Sequence, residues 1–104
     1  MRRASTAEFV QYTADQLSEA GKITYRKMFG EYGLYCDGVF FAVVCDNQFF
    51  LKPTEAAMAL MPSVVLRPPY PGASPSLLIE DLEDRALLGR LVQATCAALP
   101  KKHK

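Results

Sequence analysis

The stretch Met28-Phe29-Gly30-Glu31-Tyr32-Gly33-Leu34-Tyr35-Cys36-Asp37-Gly38-Val39-Phe40-Phe41 decides how this chain folds. Asp37-Gly38 is a favoured two-residue hairpin turn, flanked on both sides by β-prone residues. Leu34–Cys36 and Val39–Cys45 are therefore predicted strands. A second tight turn at Asp46-Asn47 leads into Gln48–Lys52, which extends the hairpin into an antiparallel meander. Gly30 and Gly33 precede it and suit a bulge or a strained turn. Ile23–Met28 reads as a short additional strand before the glycines.

Two-residue turns fix the register. Cys36 then lies opposite Val39, and Cys45 opposite Gln48. Strict alternation puts Leu34, Cys36, Val39, Phe41, Val43, Cys45, Gln48, Phe50 and Lys52 on one face. Tyr35, Phe40, Ala42, Val44, Phe49 and Leu51 fall on the other. Cys36 and Cys45 sit about 20 Å apart along the strands at ~3.4 Å per residue, too far for a disulfide. Both faces are apolar, which is unusual for an antiparallel sheet with a wet side. Helices are expected over the Tyr35/Phe40/Val44/Phe49/Leu51 side. The opposite side, with Val39, Phe41, Val43 and Phe50, is then a candidate face for a second copy of the chain or a protein partner.

Outward from the meander, helices bracket the sheet. Ser5-x-x-Glu8 has the form of a capping box, and Phe9, Val10, Thr13, Leu17 and Ala20 share one helical face. The first helix is expected over Thr6–Ala20, stopped by Gly21. Pro53-Thr54-Glu55 starts a short helix to about Met61, with Thr54 as its cap. Val64–Arg67 and Ser76–Ile79 are predicted strands, paired around the turn-rich run Pro68-Pro69-Tyr70-Pro71-Gly72-Ala73-Ser74-Pro75. Asp81 is the expected cap of the last helix, whose stripe is Leu87, Leu88, Leu91, Val92, Thr95, Ala98 and Leu99. The fold class is α+β, an antiparallel sheet packed with helices.

The 104 residues fit one domain, 1–104, with tails expected at 1–4 and 101–104. Hydrophobic residues make up 50% of the chain, enough for a packed core. No apolar run approaches the ~18–20 residues of a membrane span, and the two N-terminal arginines have no apolar stretch behind them. The reading is a cytoplasmic protein without a membrane role. Charge is segregated. Arg2, Arg3, Lys101, Lys102 and Lys104 hold five of the 12 basic residues, so residues 4–100 carry seven against 11 acidic ones, a net of −4. A nucleic-acid module usually shows a basic face; this body does not.

Catalytic and metal chemistry find few groups. His103 is the sole histidine, and the cysteines at 36, 45 and 96 have no metal-ligand spacing. Each cysteine reads as a small buried hydrophobe. A reactive thiol at Cys36 needs a base or a positive setting. Arg26 and Lys27 alternate along a strand, so no dense anion patch forms. Glu80, Asp81, Glu83 and Asp84 lack calcium-loop spacing and suit a helix start. Tyr25, Tyr32 and Tyr35 either line a ligand pocket or are ordinary half-buried sheet residues. No cofactor, metal ion or catalytic residue is assigned. Pro68, Pro69, Tyr70 and Pro71 form a candidate recognition loop.

Arg26-Lys27-Met28-Phe29-Gly30-Glu31-Tyr32-Gly33-Leu34-Tyr35 followed by Asp37-Gly38 resembles the signature of the TfoX/Sxy family, in its N-terminal domain, with Met28, Phe29, Gly30, Tyr32 and Gly33 at its centre. Phe50–Thr54, Pro68–Ala73 and Leu78–Arg85 resemble stretches of single-domain members, so the likeness runs from about Phe9 to Pro100. It implies a two-layer sandwich ordered α-β-β-β-α-β-β-α, akin to type III secretion chaperones, which often dimerise. It also implies a role similar to regulators of bacterial DNA-uptake competence, which assist transcription with other factors. Those regulators carry a further helical C-terminal domain, which this chain lacks, and no catalytic residues are established for the N-terminal one. The function expected is a non-enzymatic interaction domain, a homodimer or the binder of a protein partner. The alternative is direct, weak nucleic-acid binding through the basic ends, Arg26 and the tyrosines. An enzyme built on the tyrosines and glycines ranks behind both.

Overall fold

The computed structural model describes residues 5–99. The expectations for the tails, including His103 and the terminal lysines and arginines, lie outside the described residues.

Three consecutive two-residue turns build the first two-thirds of the sheet. Strands β1 (Ile23–Met28), β2 (Glu31–Cys36), β3 (Val39–Cys45) and β4 (Gln48–Leu51) are joined through Phe29-Gly30, Asp37-Gly38 and Asp46-Asn47. Both central residues of each turn have positive φ: 51° and 80°, 49° and 85°, 55° and 54°. That is the backbone of type I′ turns, whose twist matches that of the strands they join. Four strands, not three, therefore separate the first helix from the second, because the segment at Ile23 pairs along its full length with β2. After α2 (Glu55–Met58), β5 (Leu66–Arg67) and β6 (Ser76–Ile79) complete one antiparallel sheet ordered β1-β2-β3-β4-β6-β5. The chain passes over one position, so β6 is internal and β5 lies at the edge.

The register at the turns is as expected, with Cys36 opposite Val39 and Cys45 opposite Gln48. Strict alternation fails between them. Tyr35 pairs with Phe40, but Leu34 pairs with Ala42, which leaves Phe41 as the extra residue of a β-bulge. A bulge turns two successive side chains toward one face and bends the strand. Phe41 and Ala42 accordingly both enter the core beneath the helices, where they are 0% and 1% exposed. Leu34, Cys36, Val44, Phe49 and Leu51 join them there. The expected sorting of faces is corrected at this point: Tyr35 and Phe40 lie opposite the helices, their rings 5.3 Å apart.

The helix side of the core is filled by Val10 and Leu17 from the first helical segment, Ala57 from α2, and Leu88, Leu91 and Val92 from α3 (Arg85–Ala98). Helix α1 spans Ala7–Gln16, and a single 3-10 turn over Ser18–Ala20 follows it. Its cap is Thr6, whose Oγ1 accepts the Phe9 N–H at 3.1 Å, rather than Ser5. Ser5 is occupied elsewhere. Its Oγ accepts the Asn47 N–H at 2.9 Å, and its own N–H donates to Glu31 Oε1 at 3.0 Å. Thr54 caps α2 as expected.

Asp84, not Asp81, caps α3: its Oδ1 accepts the Leu87 N–H at 3.1 Å, while Asp81 Oδ1 takes the Glu83 N–H in the turn before it. Asp84→Ala is expected to cost about 1 kcal/mol of stability. Asp81→Ala should cost less, since no helical N–H loses its partner. Urea denaturation of the two variants checks the order. Arg85 then ties α3 to the end of α1 through Gln16 Oε1 (2.9 Å), Ser18 Oγ (3.1 Å) and Glu19 Oε2 (3.3 Å).

Candidate functional site

The face away from the helices is covered by the chain itself. Cys45, Phe50 and Leu78 form a second buried cluster with half-buried Val43 against it. The proline-rich run folds onto this cluster, with Pro69 buried. Between Phe50 and the loop lies a shallow cleft of about 310 Å³, lined also by Gln48, Arg67, Pro68 and Tyr70. The candidate residues Val39, Phe41, Val43 and Phe50 consequently do not make one outward face. Phe41 points to the helices, Phe50 is 3% exposed, Val43 is half-buried, and Val39 sits at the β2–β3 turn. The bulge splits the set, and the loop shelters what remains.

Pro68, Tyr70 and Pro71 stay exposed around the buried Pro69. They follow in sequence an exposed apolar run that the sequence reading passed over. Leu60, Val64, Val65, Leu66 and Tyr70 are 40–51% exposed, and they make five of the eight large hydrophobic side chains exposed among the described residues. A signal was present: Val64-Val65-Leu66 is apolar at successive positions, yet it adjoins prolines that keep it at a sheet edge.

The signature residues lie in and around the β1–β2 hairpin. Gly33 is buried opposite Arg26 and Val43. A Cβ there would lie 2.7 Å from Met28 Cε and 2.9 Å from Phe40 Cε1, so its absence makes room for both side chains. Phe29 and Gly30 are the β1–β2 turn, with Phe29 fully exposed. Tyr25 and Tyr32 meet edge to face at 6.0 Å on the helix side, and the Tyr25 hydroxyl donates to Gln11 Oε1 at 2.9 Å. Tyr35 lies on the opposite face with Phe40. The three tyrosines therefore line no common pocket. Arg26 and Lys27 project to opposite faces by register, and Lys27 Nζ lies 6.0 Å from the Tyr32 ring centroid.

The larger cavity, about 410 Å³, opens between the 3-10 turn, the β2–β3 turn and the last turns of α3. Cys36, Asp37, Val39, Gln93 and Cys96 are among its walls. The Cys36 and Cys96 thiols line the same cavity, and each shifts the other's ionisation. Cys36 Sγ also lies 3.9 Å from Ala20 O and 3.9 Å from Asp37 Oδ2. Burial first, then the Asp37 carboxylate, push the Cys36 thiol up. Burial and the neighbouring Cys36 push Cys96 up to about 12. Both thiols are protonated at neutral pH, and among the described residues neither has the cation or base of an activated nucleophile. Asp37 is held by the backbone, its Oδ1 accepting the Lys22 N–H at 3.2 Å. Among the described residues, no three His, Cys, Asp or Glu side chains gather as a metal site. No described helix is long and apolar enough to cross a membrane.

Comparison with known proteins places this architecture. The uncharacterized 12.7 kDa protein in the trpE 5′ region of Spirochaeta aurantia is similar to the chain, 34% identical over 98 residues, which cover 93% of this chain and 85% of that protein. Residues 15–98, which include all six strands and most of the helices, match the TfoX N-terminal domain. With the Met28–Gly33 signature shaping the first hairpin and the match running across the whole sheet, the chain belongs to the TfoX N-terminal domain family.

Proposed function

We propose that this chain is a non-enzymatic regulatory domain of the competence-regulator type, acting by holding a protein partner along residues 60–70. The observation that carries this reading is the exposed apolar strip of Leu60, Val64, Val65, Leu66 and Tyr70. It lies beside β5, the last strand of the sheet, whose outer edge pairs with no other strand among the described residues. An extended segment of a partner can add to such an edge through main-chain hydrogen bonds while its side chains meet the strip. Pro68, Tyr70 and Pro71 extend the same surface.

The test is affinity capture of the tagged chain from nuclease-treated lysate of its own organism, beside the double variant Val65→Lys, Leu66→Glu. Both positions are exposed, so the thermal midpoint should hold while recovery of a specific partner falls at least tenfold. Undiminished recovery would move the docking surface away from residues 60–70. If the chain recovers only itself, light scattering separates a homodimer from a monomer. Steeply salt-dependent retention of duplex DNA, unchanged by the double variant, would instead favour direct nucleic-acid binding.

A further inference from the structure

We infer that Cys36 and Cys96 form a dithiol pair that hydroperoxides convert to an intramolecular disulfide, making the cavity beside the β2–β3 turn a site of reversible oxidation. The inference stands apart from the partner surface, which lies elsewhere on the sheet. Cys36 and Cys96 are 60 residues apart in the chain, yet they share one cavity wall, and each thiol shifts the other's ionisation. Each is carried by a regular element. Cys36 ends β2 against a two-residue turn, and Cys96 lies in the last turn of α3. Closing the pair needs an approach of the two sulfurs across the cavity wall to a bond of ~2.05 Å. The end of α3 is well suited to give it, because the helix stops at Ala98 and Leu99 is already extended.

The two thiols also differ in access. Cys36 is 4% exposed, whereas Cys96 is only half-buried and opens on the cavity. A peroxide entering the cavity meets Cys96 first, and the sheltered Cys36 is placed to resolve the product. The third cysteine does not compete, since Cys45 belongs to the cluster on the opposite face of the sheet.

The chemistry balances in two steps. Cys96 sulfur attacks the peroxide O–O bond, yielding a sulfenic acid and one water. Cys36 sulfur then attacks the sulfenyl sulfur, forms the S–S bond and releases a second water. Two thiols lose two protons and two electrons, and hydrogen peroxide takes them up to become two waters. Both cysteines hold their protons tightly, and the charged group facing them from the β2–β3 turn is Asp37, whose carboxylate opposes ionisation. The C-terminal end of α3 adds partial negative charge. Oxidation should therefore be slow at neutral pH and quicken as the pH rises. Poorly acidic thiols are also slow leaving groups in exchange, so the disulfide should open slowly.

The test treats the full chain with hydrogen peroxide, alkylates it with iodoacetamide in denaturant, and maps the unreduced peptides by mass spectrometry. The expected result is one linked species joining the Cys36 and Cys96 peptides, two hydrogens lighter than their sum and released by dithiothreitol, with Cys45 alkylated. The cross-link closes a long loop of the unfolded chain, so the thermal midpoint should rise by about 10 °C. Cys45→Ser should keep the link and the rise. Cys96→Ala, at the half-exposed member, should abolish both without unfolding the protein. Sulfinic acid at Cys96 with Cys36 still alkylated would overturn the inference, as would a link through Cys45 or between two chains.

Discussion

Replacing Phe41 by alanine is expected to lower the unfolding free energy by about 3–5 kcal/mol, the range for truncating a large aromatic in a well-packed core. Phe41 is 0% exposed and packs in the main cluster with Leu34, Val44 and the helices. The loss would be a large share of the roughly 5–15 kcal/mol that holds a domain together. Its neighbour supplies the control. Phe40 is half-buried on the other face, where Lys52 Nζ lies 4.3 Å from its ring centroid and Tyr35 packs beside it. Phe40→Ala should cost clearly less. Urea titration reads both, with the midpoint falling at an unchanged slope if only stability has moved. Equal losses at the two positions would contradict the bulge that turns Phe41 inward.

Gly21→Ala carries the second large expectation, a loss of about 2–4 kcal/mol from backbone strain and crowding together. Gly21 has φ 153° and ψ −159°, a region nearly confined to glycine. A Cβ there would stand 2.7 Å from Asp37 Oδ2 and 3.0 Å from Cys36 Sγ. Asp37 cannot swing away freely, because its other oxygen holds the Lys22 N–H. The same substitution at Gly89 should move the other way. That residue is helical, its nearest foreign atom to a new Cβ is 3.9 Å away, and alanine in a helix gains roughly 0.5–1 kcal/mol over glycine. Thermal melting of the pair gives shifts of opposite sign if the site beside Asp37 is as tight as the geometry indicates.

What the residues disclosed depended on how local each decision was. Asp37-Gly38 and Asp46-Asn47 state their turns in two letters, and the register at each follows from the turn alone. Phe29-Gly30 makes the same kind of turn, but phenylalanine is an uncommon occupant of positive φ, so only the glycine could be noticed. The bulge at Phe41 has no letter of its own. It is chosen by what packs beneath β3, and it put Phe41, Leu34 and Cys36 under the helices and Tyr35 and Phe40 on the other face, the reverse of strict alternation. Asp81 and Asp84 are equally good caps in sequence, and only the path from β6 into α3 separates them. The meeting of Cys36 with Cys96 depends on where a helix at the far end of the chain comes to rest. No spacing rule reaches that far.

The strand order has a consequence during synthesis. The inner edge of β4, Phe49-Phe50-Leu51, is finished well before Ser76–Ile79 exists to pair with it. At ~5–20 residues per second the ribosome leaves that edge open for roughly 1–5 s. Such an aromatic edge is a template for a neighbouring nascent chain. Lys52 and Pro53 follow it immediately, a charge and a missing N–H that act as gatekeepers until β6 arrives.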